Sequence, residues 1–288
     1  MPELPEVEVL ARHLRPLLHG KIIRSVDVRR GKVLRPTSTR EFQKILTGAK
    51  FINLSRRGKY LLFKLCCKTS AKPVILLGHL GMTGRMFLAR KNKKLPKHTA
   101  VVLDLGGRNF IYEDMRYFGR LTLDVSAVAK LGPEPLSKNF QPETFAQSLK
   151  RSRQPIKIKL LDQSLVAGIG NIYASEALFR SHISPKLPAD KLTLAQTERL
   201  WCAVREVLAG AIKFGGTVPL KFAGGKSDGF FYYGRAADAP NFYEDRLWVY
   251  DRAGKPCLNC SHSIKRIVQA ARSTFYCPHC QKVVMKSV

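Results

Sequence analysis

The C-terminal part of the chain reads Cys257-Leu258-Asn259-Cys260 and, after sixteen further residues, Cys277-Pro278-His279-Cys280. Each C-x2-C pair lets two thiolates reach one ion from a tight turn, and two pairs complete a tetrahedral shell. The spacing therefore predicts a zinc ribbon that holds one structural Zn²⁺, with no open position for catalysis. His262 and His279 are competing ligands, but the four cysteines already fill the shell.

The charge of the chain predicts a polyanionic partner. Its 288 residues include 50 Lys and Arg against 21 Asp and Glu, a formal net charge of +29. Charge alone leaves DNA, RNA and anionic lipid open. Residues 255–288 contain six basic side chains and no acidic one, so the zinc ribbon is expected to face phosphate. With 45% hydrophobic residues the chain is expected to be globular rather than disordered.

No signal peptide or membrane span is expected, because the N-terminus lacks a basic start with an apolar core and no run of eighteen apolar residues occurs. The sequence thus predicts a soluble, cytoplasmic protein. An odd count of seven cysteines argues against a disulfide framework. The cysteines outside the ribbon, Cys66, Cys67 and Cys202, have apolar neighbours and are predicted to be core residues.

The hydrophobic pattern changes twice along the chain. Apolar residues recur at helical spacing from Val7 to Leu18, and Gly20 follows as a C-terminal cap. Short β-rich runs then occupy residues 22–124, typical of an antiparallel sandwich or barrel. They are residues 51–54, 60–65, 74–77, 100–105, 110–112 and 121–124. Helical patterns dominate from Pro142, at residues 144–149, 156–161, 172–179 and 193–214, so a linker is placed at residues 129–140.

A glycine-containing turn precedes one of these helices at Gly168-Ile169-Gly170-Asn171. Asn171 is predicted to cap the helix while backbone N–H groups point at an anion such as a DNA phosphate. A simple connection between two helices is the alternative. A dinucleotide fingerprint is rejected, since the third glycine is missing and no strand precedes the turn.

The N-terminus begins Met1-Pro2-Glu3-Leu4-Pro5-Glu6. Removal of Met1 would expose a secondary amine, which attacks electrophilic carbon and forms a cationic iminium. Glu3 and Glu6 would then serve as proton donor and acceptor. Carboxylates in the first turn of a helix also suit the helix dipole, so this motif by itself leaves a purely structural interpretation open.

Taken together, these motifs resemble the bacterial formamidopyrimidine-DNA glycosylases. The resemblance covers essentially the whole chain. It rests on Pro2 to Glu8, Gly58-Lys59-Tyr60, His79-Leu80-Gly81-Met82, Arg116-Tyr117-Phe118-Gly119, Gly168 to Glu176 and the zinc ribbon, in that order. It implies an α+β protein: an N-terminal antiparallel β-sandwich with flanking helices (1–128), the linker (129–140), a helix-two-turn-helix domain with a lesion-capping loop (141–250) and a zinc finger (251–288).

The activity implied by the resemblance is removal of oxidised purines, such as 8-oxoguanine and formamidopyrimidines, followed by strand cleavage at the abasic site. The partner is double-stranded DNA with damaged bases or abasic sites, bound by a monomer, and zinc is the one cofactor. A glycosylase for oxidised pyrimidines of the endonuclease VIII type is the alternative within the enzymes. A DNA-binding relative without catalysis is the alternative from another class, although Pro2 and Glu3 are both present.

The resemblance also assigns roles to single residues. Pro2 is the nucleophile, Glu3 the acid and base, and Glu6 a supporting carboxylate. The remaining catalytic assignments are Lys59 and Arg272, both on the phosphates, and the DNA-binding assignments are His79, Asn171, Tyr250 and Arg266. A solvated lysine is the alternative for Lys59, and a turn histidine is the alternative for His79.

Met82, Arg116 and Phe118 match the trio that fills the gap left by the flipped nucleotide. Extrusion costs a few kcal/mol of stacking and pairing, so an apolar wedge and a planar donor must replace the missing base. Two departures from the family pattern are Met115 and Tyr117, which stand where Pro and a basic residue are frequent. The segment from Gly215 to Trp248 also looks longer than usual, and Thr217 is predicted to help form a lid there.

Overall fold

The computed structural model describes residues 2–68, 70–215 and 246–282, and these form two compact units that divide between Ala129 and Lys130. Thr217 and the predicted lid lie outside the described residues. Among the residues that the structure describes, no helix is both long and apolar enough to cross a bilayer.

The first unit begins with helix α1 (Leu4–Leu18), whose apolar residues Leu10, Leu14 and Leu18 are buried. Pro5 lies in the first turn, where its missing N–H breaks no helical hydrogen bond. Two short helices follow further along the chain, α2 (Thr39–Leu46) and α3 (Ser126–Ala129). The predicted helix is confirmed, and it starts three residues earlier than the periodicity indicates.

Two four-stranded antiparallel sheets make up the rest of this unit. One sheet has the order β1 (Ser25–Val28), β6 (Thr99–Asp104), β7 (Arg108–Asp114), β5 (Gly84–Arg90). The other has the order β2 (Lys50–Arg57), β3 (Tyr60–Cys66), β4 (Val74–His79), β8 (Arg120–Thr122). Phe63 and Phe110, on different sheets, meet edge to face with ring centroids 5.6 Å apart, so the core lies between the sheets as in a sandwich.

Strand alternation explains one wrong prediction about the cysteines. Along β3 the side chains of Leu61, Phe63 and Leu65 are buried, and the next residue, Cys66, is exposed. Successive side chains of a strand point to opposite faces, so a cysteine directly after buried Leu65 faces outward. Cys67 is buried as expected, whereas Cys202 is exposed on a helix of the second unit. The core prediction is thus right for Cys67 and wrong for Cys66 and Cys202.

The second unit is helical and ends in a β-hairpin. Its helices are α4 (Pro142–Lys150), α5 (Ile156–Leu160), α6 (Asn171–Arg180) and α7 (Leu194–Lys213), and its strands are β9 (Lys265–Gln269) and β10 (Arg272–Tyr276). A capping box between Thr193 and Gln196 starts α7. One apolar cluster holds the helices together, and a second one, including Val249, Ile264 and Phe275, lies beneath the hairpin.

Candidate active site and nucleic-acid interface

The N-terminal residues lie at the head of α1. Pro2 is buried, and Glu3 and Glu6 are each only 1% exposed. Glu3 is the N-cap of the helix, and its backbone N–H donates to Glu6 Oε2 at 2.8 Å within a capping box. The positive end of the helix dipole favours both carboxylates in this position. The fold therefore brings Pro2, the predicted nucleophile, together with two carboxylates in a site of low solvent access.

Lys59 and His79 are brought together by strand pairing. Lys59 lies in the two-residue turn between β2 and β3, after Gly58 at φ 56°. The next residue, Tyr60, pairs with His79 at the end of β4, and their ring centroids are 4.8 Å apart. Burial, followed by the positive charges of Lys59 and Arg120, lowers the pKa of His79 to about 4, against the opposing effect of Asp114.

The proton position on His79 follows from its backbone neighbour. The N–H of Gly81 donates to His79 Nδ1 at 3.2 Å. A backbone N–H can only donate, so Nδ1 accepts and the neutral ring carries its hydrogen on Nε2. The ring is thus prepared to donate one hydrogen bond from Nε2 to an anion while adding no charge of its own.

The predicted wedge residues are exposed although two of them are large and apolar. Met82 is 45% exposed and Phe118 is 55% exposed. The guanidinium of Arg116 lies over the Phe118 ring, 4.7 Å from its centroid, so a planar cation and an aromatic ring form one stacked unit. A Met or a Phe near the end of a strand is more often buried in the hydrophobic core. Their exposure fits a surface that is covered only when a partner binds.

A buried carboxylate organises the two loops that carry the wedge residues. Asp114, with no exposed surface, accepts through Oδ1 from the Thr83 hydroxyl at 2.6 Å and from the Arg116 N–H at 3.2 Å. Its Oδ2 accepts from the Gly119 N–H at 2.8 Å. Asp114 therefore fixes the loop after β4 against the loop after β7. Sequence reasoning missed this residue, and its only local signal is an acidic side chain directly before the Met115-Arg116-Tyr117-Phe118 segment.

Close backbone approach fixes the same two loops. A Cβ added to Gly81, which has φ 59°, would lie 2.6 Å from the Gly119 nitrogen, so no larger residue fits there. Tyr117 adopts φ 54°, a left-handed conformation that costs a residue with a side chain about 1–2 kcal/mol. Its hydroxyl accepts from Arg30 Nε at 3.3 Å. The hydrogen bond to Arg30 thus anchors the strained Tyr117 by its hydroxyl group. Its neighbours in sequence, Arg116 and Phe118, are both exposed.

The glycine turn before α6 differs from the prediction in one respect. Gly170 is the N-cap, and Asn171 is the first residue of the helix, because Gly170 adopts the extended backbone that a cap requires. The side chain of Asn171 instead bridges two parts of the second unit. Its Oδ1 accepts from Lys157 Nζ at 2.8 Å, and its Nδ2 donates to the Ser273 carbonyl at 2.8 Å. Lys157 is fully buried and also donates to Ser175 Oγ at 3.1 Å.

A second buried carboxylate holds the segment that carries Tyr250. Glu176 is 1% exposed and accepts from three successive backbone N–H groups, those of Trp248 at 2.9 Å, Val249 at 3.0 Å and Tyr250 at 2.8 Å. Burial raises the pKa of Glu176, and the three hydrogen bonds oppose that rise. The Tyr250 ring then packs edge-on against Phe275, with centroids 5.0 Å apart. The roles of Glu176 and Lys157 were also missed, since their partners lie far away in sequence.

The hairpin presents the two arginines of the predicted interface. Arg266 on β9 donates from Nε to Ser273 Oγ at 2.9 Å, and both Arg266 and Arg272 are exposed. Arg272 begins β10 directly after Ala270 and Ala271, which both have positive φ. Ser273 also binds Asn171, so the helix turn and the hairpin are joined through one residue. The second unit thus brings Asn171, Arg266, Arg272 and Tyr250 around one hairpin.

The four cysteines of the ribbon fit one metal ion. Their Sγ atoms all lie within 4.8 Å of one another, with Cys257 and Cys280 at 3.9 Å and Cys260 and Cys277 at 3.4 Å. Tetrahedral zinc with Zn–S bonds of about 2.3 Å needs sulfur separations of about 3.8 Å. The donor set and its spacing therefore correspond to a structural Zn²⁺ site.

The protonation behaviour of the thiols agrees with that assignment. Burial raises the pKa of Cys260, but the His262 N–H and the neighbouring thiols donate to its sulfur and lower it to about 6. Burial raises the pKa of Cys280, and its sulfur neighbours bring it to about 12. Without a cation, the first thiolate therefore forms easily and the last one does not. A dication removes this conflict, because it stabilises all four thiolates at once.

Three family models match successive parts of the chain. The formamidopyrimidine-DNA glycosylase N-terminal domain matches residues 1–121, the H2TH domain of the same enzymes matches residues 131–221, and the zinc finger found in FPG and IleRS matches residues 254–283. The α+β fold class with a helix-two-turn-helix domain and a zinc finger is thereby confirmed. The zinc finger match, together with the cysteine cluster, confirms one structural zinc as the cofactor.

Relatives and solved structures match over nearly the whole chain. Formamidopyrimidine-DNA glycosylases of Carboxydothermus hydrogenoformans and Thermus thermophilus are 39% and 41% identical, covering 98% of this chain and 100% and 98% of their own. A Lactococcus lactis protein, bound to DNA containing an abasic site, has a TM-score of 0.86 and 32% identity, covering 97% of this chain and 99% of its own.

A second Lactococcus lactis complex, of a mutant with DNA containing Fapy-dG, has a TM-score of 0.85 and 32% identity over 98% of this chain and 100% of its own. The crystal structure of the Thermus thermophilus protein has a TM-score of 0.81 and 39% identity over 97% of this chain and 98% of its own. With three successive domain models and relatives that match at about 40% identity, the chain belongs to the formamidopyrimidine-DNA glycosylase family.

Proposed function

We propose that the protein excises oxidised purines, including 8-oxoguanine and formamidopyrimidines, from double-stranded DNA and then cleaves the strand at the abasic site. The observation that carries this proposal is the buried group of Pro2, Glu3 and Glu6 at the head of α1. Family membership supports it, because relatives carry the glycosylase name and have been solved with Fapy-dG and abasic-site DNA.

Base removal starts from the free N-terminus. Once Met1 is removed, the Pro2 nitrogen is a secondary amine with a lone pair. It attacks C1′ of the damaged nucleotide, the base leaves with the electron pair of the glycosidic bond, and the proton of the amine passes to the departing base. The C1′–O4′ bond then opens, Glu3 supplies a proton to O4′, and a C1′=N⁺ iminium remains. A secondary amine has no second N–H to lose, so the iminium stays cationic.

Strand cleavage uses that iminium as an electron sink. Loss of a proton from C2′ expels the 3′ phosphate, and loss of a proton from C4′ then expels the 5′ phosphate, which leaves a gap with phosphate ends. Each elimination needs a base near the sugar. Glu3, regenerated as a carboxylate after ring opening, is the acceptor that we assign, and Glu6 holds the Glu3 backbone in place.

Recognition depends on the two wedge loops and on the phosphate contacts. Met82, Arg116 and Phe118 replace the extruded nucleotide in the stack, and their exposure before binding supports this role. His79 donates from Nε2 to a phosphate, with Lys59 beside it as a point charge. Asn171, Tyr250, Arg266 and Arg272 supply the corresponding contacts from the second unit. Arg272 is assigned to a phosphate of the bound DNA, which agrees with its exposure at the start of β10.

The proposal also includes the location of the protein, its oligomeric state and its domain limits. The net charge of +29 suits non-specific attraction to duplex DNA, and a DNA substrate agrees with a cytoplasmic, nucleoid-associated location. A monomer is sufficient, because the nucleophile, the wedge and the phosphate contacts all come from one chain. The domain limits 1–128, 129–140, 141–250 and 251–288 are kept as part of the proposal.

Borohydride trapping tests the proposed chemistry directly. The protein, with loss of Met1 confirmed by mass, is incubated with an 8-oxoguanine:cytosine duplex and with an abasic-site duplex. The reductant converts an iminium into a stable covalent adduct. We expect adducts on both duplexes, none with Pro2→Gly on the 8-oxoguanine duplex, and a strong loss with Glu3→Gln.

The matched control is Glu8→Gln, on the same helix, because Glu8 pairs with Arg12 and Arg56 and has no part in the proposed chemistry. Trapping should persist in this variant. An adduct on the abasic duplex alone would retain the lyase and move the base specificity elsewhere. No adduct on either duplex would favour a DNA-binding protein without catalysis.

A further inference from the structure

Two histidines beside the cysteine cluster are not used by the zinc shell. His262 follows Cys260 by two residues, and His279 lies between Cys277 and Cys280. Both are exposed, and their rings stack with centroids 4.3 Å apart and planes 10° apart. The two C-x2-C turns therefore place a pair of imidazoles on the outer surface of the metal site.

These two rings and one cysteine form a second group of potential ligands. Single donor atoms of Cys260, His262 and His279 all lie within 4.8 Å of one another. A tetrahedral site with bonds of about 2.0–2.3 Å needs donor separations of about 3.3–3.8 Å. The donor separations therefore have to shorten by at most about 1.0–1.5 Å. Both histidine side chains are exposed, and we expect rotation about their side-chain bonds to supply this shift.

The hydrogen bonding of His262 suits metal binding. Its Nδ1 lies 3.1 Å from the Cys260 carbonyl, which can only accept, so Nδ1 carries the hydrogen in that contact. The lone pair of the ring is then on Nε2. A ligating histidine that donates its other N–H to a backbone carbonyl is the usual arrangement around protein-bound metals.

We propose that His262, His279 and the sulfur of Cys260 form a second, outer site for a divalent ion of the borderline class, such as Zn²⁺, Co²⁺ or Ni²⁺. Cys260 bridges the two ions through a further lone pair of its thiolate. Imidazole and thiolate donors select this class over Mg²⁺ and Ca²⁺, which require oxygen ligands. Water completes the outer site, since both rings face solvent.

Charge favours a second ion at this position. Four thiolates around one Zn²⁺ leave a net charge of −2 on the inner shell, which attracts a cation, whereas the six basic side chains of residues 255–288 oppose it from the surrounding surface. A second dication at the Cys260 sulfur neutralises that charge. The outer ion should bind more weakly than the inner one, because it has three protein ligands, shares one of them and remains in contact with water.

Zinc stoichiometry of the full chain tests the proposal. The zinc-loaded protein, desalted to one ion per chain, is titrated with Zn²⁺ by calorimetry, and bound metal is counted by elemental analysis after equilibrium dialysis. We expect a second ion in the wild type. The double variant His262→Gln, His279→Gln should stop at one ion, and His279→Gln alone should weaken the second ion by at least about tenfold.

The matched control is His19→Gln. His19 is also exposed, and its Nδ1 also lies close to a backbone carbonyl, that of Ile52 at 2.7 Å, but it belongs to no ligand cluster of the described residues. This variant should keep the second ion. Retention of the first ion in every variant shows that the inner shell is intact and that the histidines act only on the outer site.

Cobalt reports on the sharing of Cys260. Co²⁺ added to the zinc-loaded protein should produce a thiolate-to-cobalt absorption band in the near ultraviolet, with one zinc still bound per chain. Three results overturn the proposal: a wild type that stays at one ion, a double variant that still binds two, or a bound Co²⁺ without the thiolate band.

Discussion

Substitution of Asp114 by Asn tests how the wedge loops are held. The carboxylate has two oxygens and three strong donors around it, namely the Thr83 hydroxyl, the Arg116 N–H and the Gly119 N–H. The amide of Asn has almost the same shape but only one acceptor oxygen. In its best orientation that oxygen keeps Thr83 and Arg116, and the new NH₂ group then faces the Gly119 N–H, which becomes a buried donor without an acceptor.

The expected loss follows from this geometry. One hydrogen bond to a charged group contributes about 1.5–3 kcal/mol, and a buried donor without an acceptor costs about 1–3 kcal/mol. Both figures describe in part the loss of the same hydrogen bond to Gly119, so they are not simply added. We expect Asp114→Asn to lower the free energy of unfolding by about 2–4 kcal/mol. Thr83→Val removes one neutral donor and should cost about 1–2 kcal/mol. Asp124→Asn, at an exposed turn where the carboxylate binds Ser126, is the surface control.

Urea unfolding measures stability, and two DNA substrates measure function. If the loops are loosened, the wedge residues should be less able to replace a base that is still stacked in the duplex. Binding of an abasic site should be affected less, because that site has already lost its base. Excision from an 8-oxoguanine duplex should therefore fall by more than adduct formation on an abasic duplex. The reasoning is refuted if Asp114→Asn unfolds within about 0.5 kcal/mol of the wild type, the range of ordinary surface substitutions, and leaves the ratio of the two activities unchanged.

Further predictions concern pH, metal and salt. The pKa of His79 is lowered to about 4, so between pH 6.5 and 4 the unfolded chain binds a proton that the folded chain does not. The free energy of unfolding should therefore fall by roughly 3 kcal/mol as the pH drops through this window. His79→Gln should remove this pH dependence, as measured by urea titrations at several pH values. The pKa of Glu176 is raised, so its contribution is present below its unfolded pKa near 4.5 and is lost as the pH rises through the folded value; Glu176→Gln should lack this loss, seen as a flatter stability profile from acidic to neutral pH. Removal of zinc by a chelator should weaken duplex binding in a fluorescence assay, yet the adduct through Pro2 should still form at high DNA concentration; loss of the adduct there would contradict a purely structural ion. Arg272→Ala should weaken binding to all duplexes and reduce the salt slope of the binding constant by about 1, and a loss confined to one lesion would contradict phosphate contact.

Local patterns predicted the elements that carry the site. The alternation of Leu61, Phe63 and Leu65 and the helical spacing in α1 depend only on neighbours in the chain, and the predicted strands and helices all occur. The elements that were not predicted are helices α2 and α3 and strands β1, β5, β9 and β10. The spacing of the cysteines was sufficient to predict the metal because both C-x2-C turns are local and only their meeting is long-range.

The residues that hold the functional loops could not be predicted in this way. The Glu176 carboxylate binds backbone groups 72–74 residues away, and Asn171 binds the Ser273 carbonyl 102 residues away. No periodic pattern encodes such pairs, since either partner is an ordinary polar residue by itself. The prediction of Asn171 as the N-cap of α6 was wrong for a related reason. A Gly and an Asn are both good caps, and the choice of Gly170 depends on Asn171 being needed by Lys157 and Ser273.

The buried polar groups share one physical purpose. The loops that carry Phe118 and Tyr250 have no strand ladder at these points, so their backbone N–H groups need other acceptors, and a carboxylate satisfies two or three of them at once. Burial of the charge itself costs several kcal/mol, which a well-packed apolar side chain would avoid. An apolar residue could fill the same space, but it would leave the loop conformation undetermined. The buried carboxylates therefore cost stability but fix the positions of the loops. Substitution of Asp114 or Glu176 should change the placement of the wedge residues or of Tyr250, an effect that the energy of burying the carboxylate does not include.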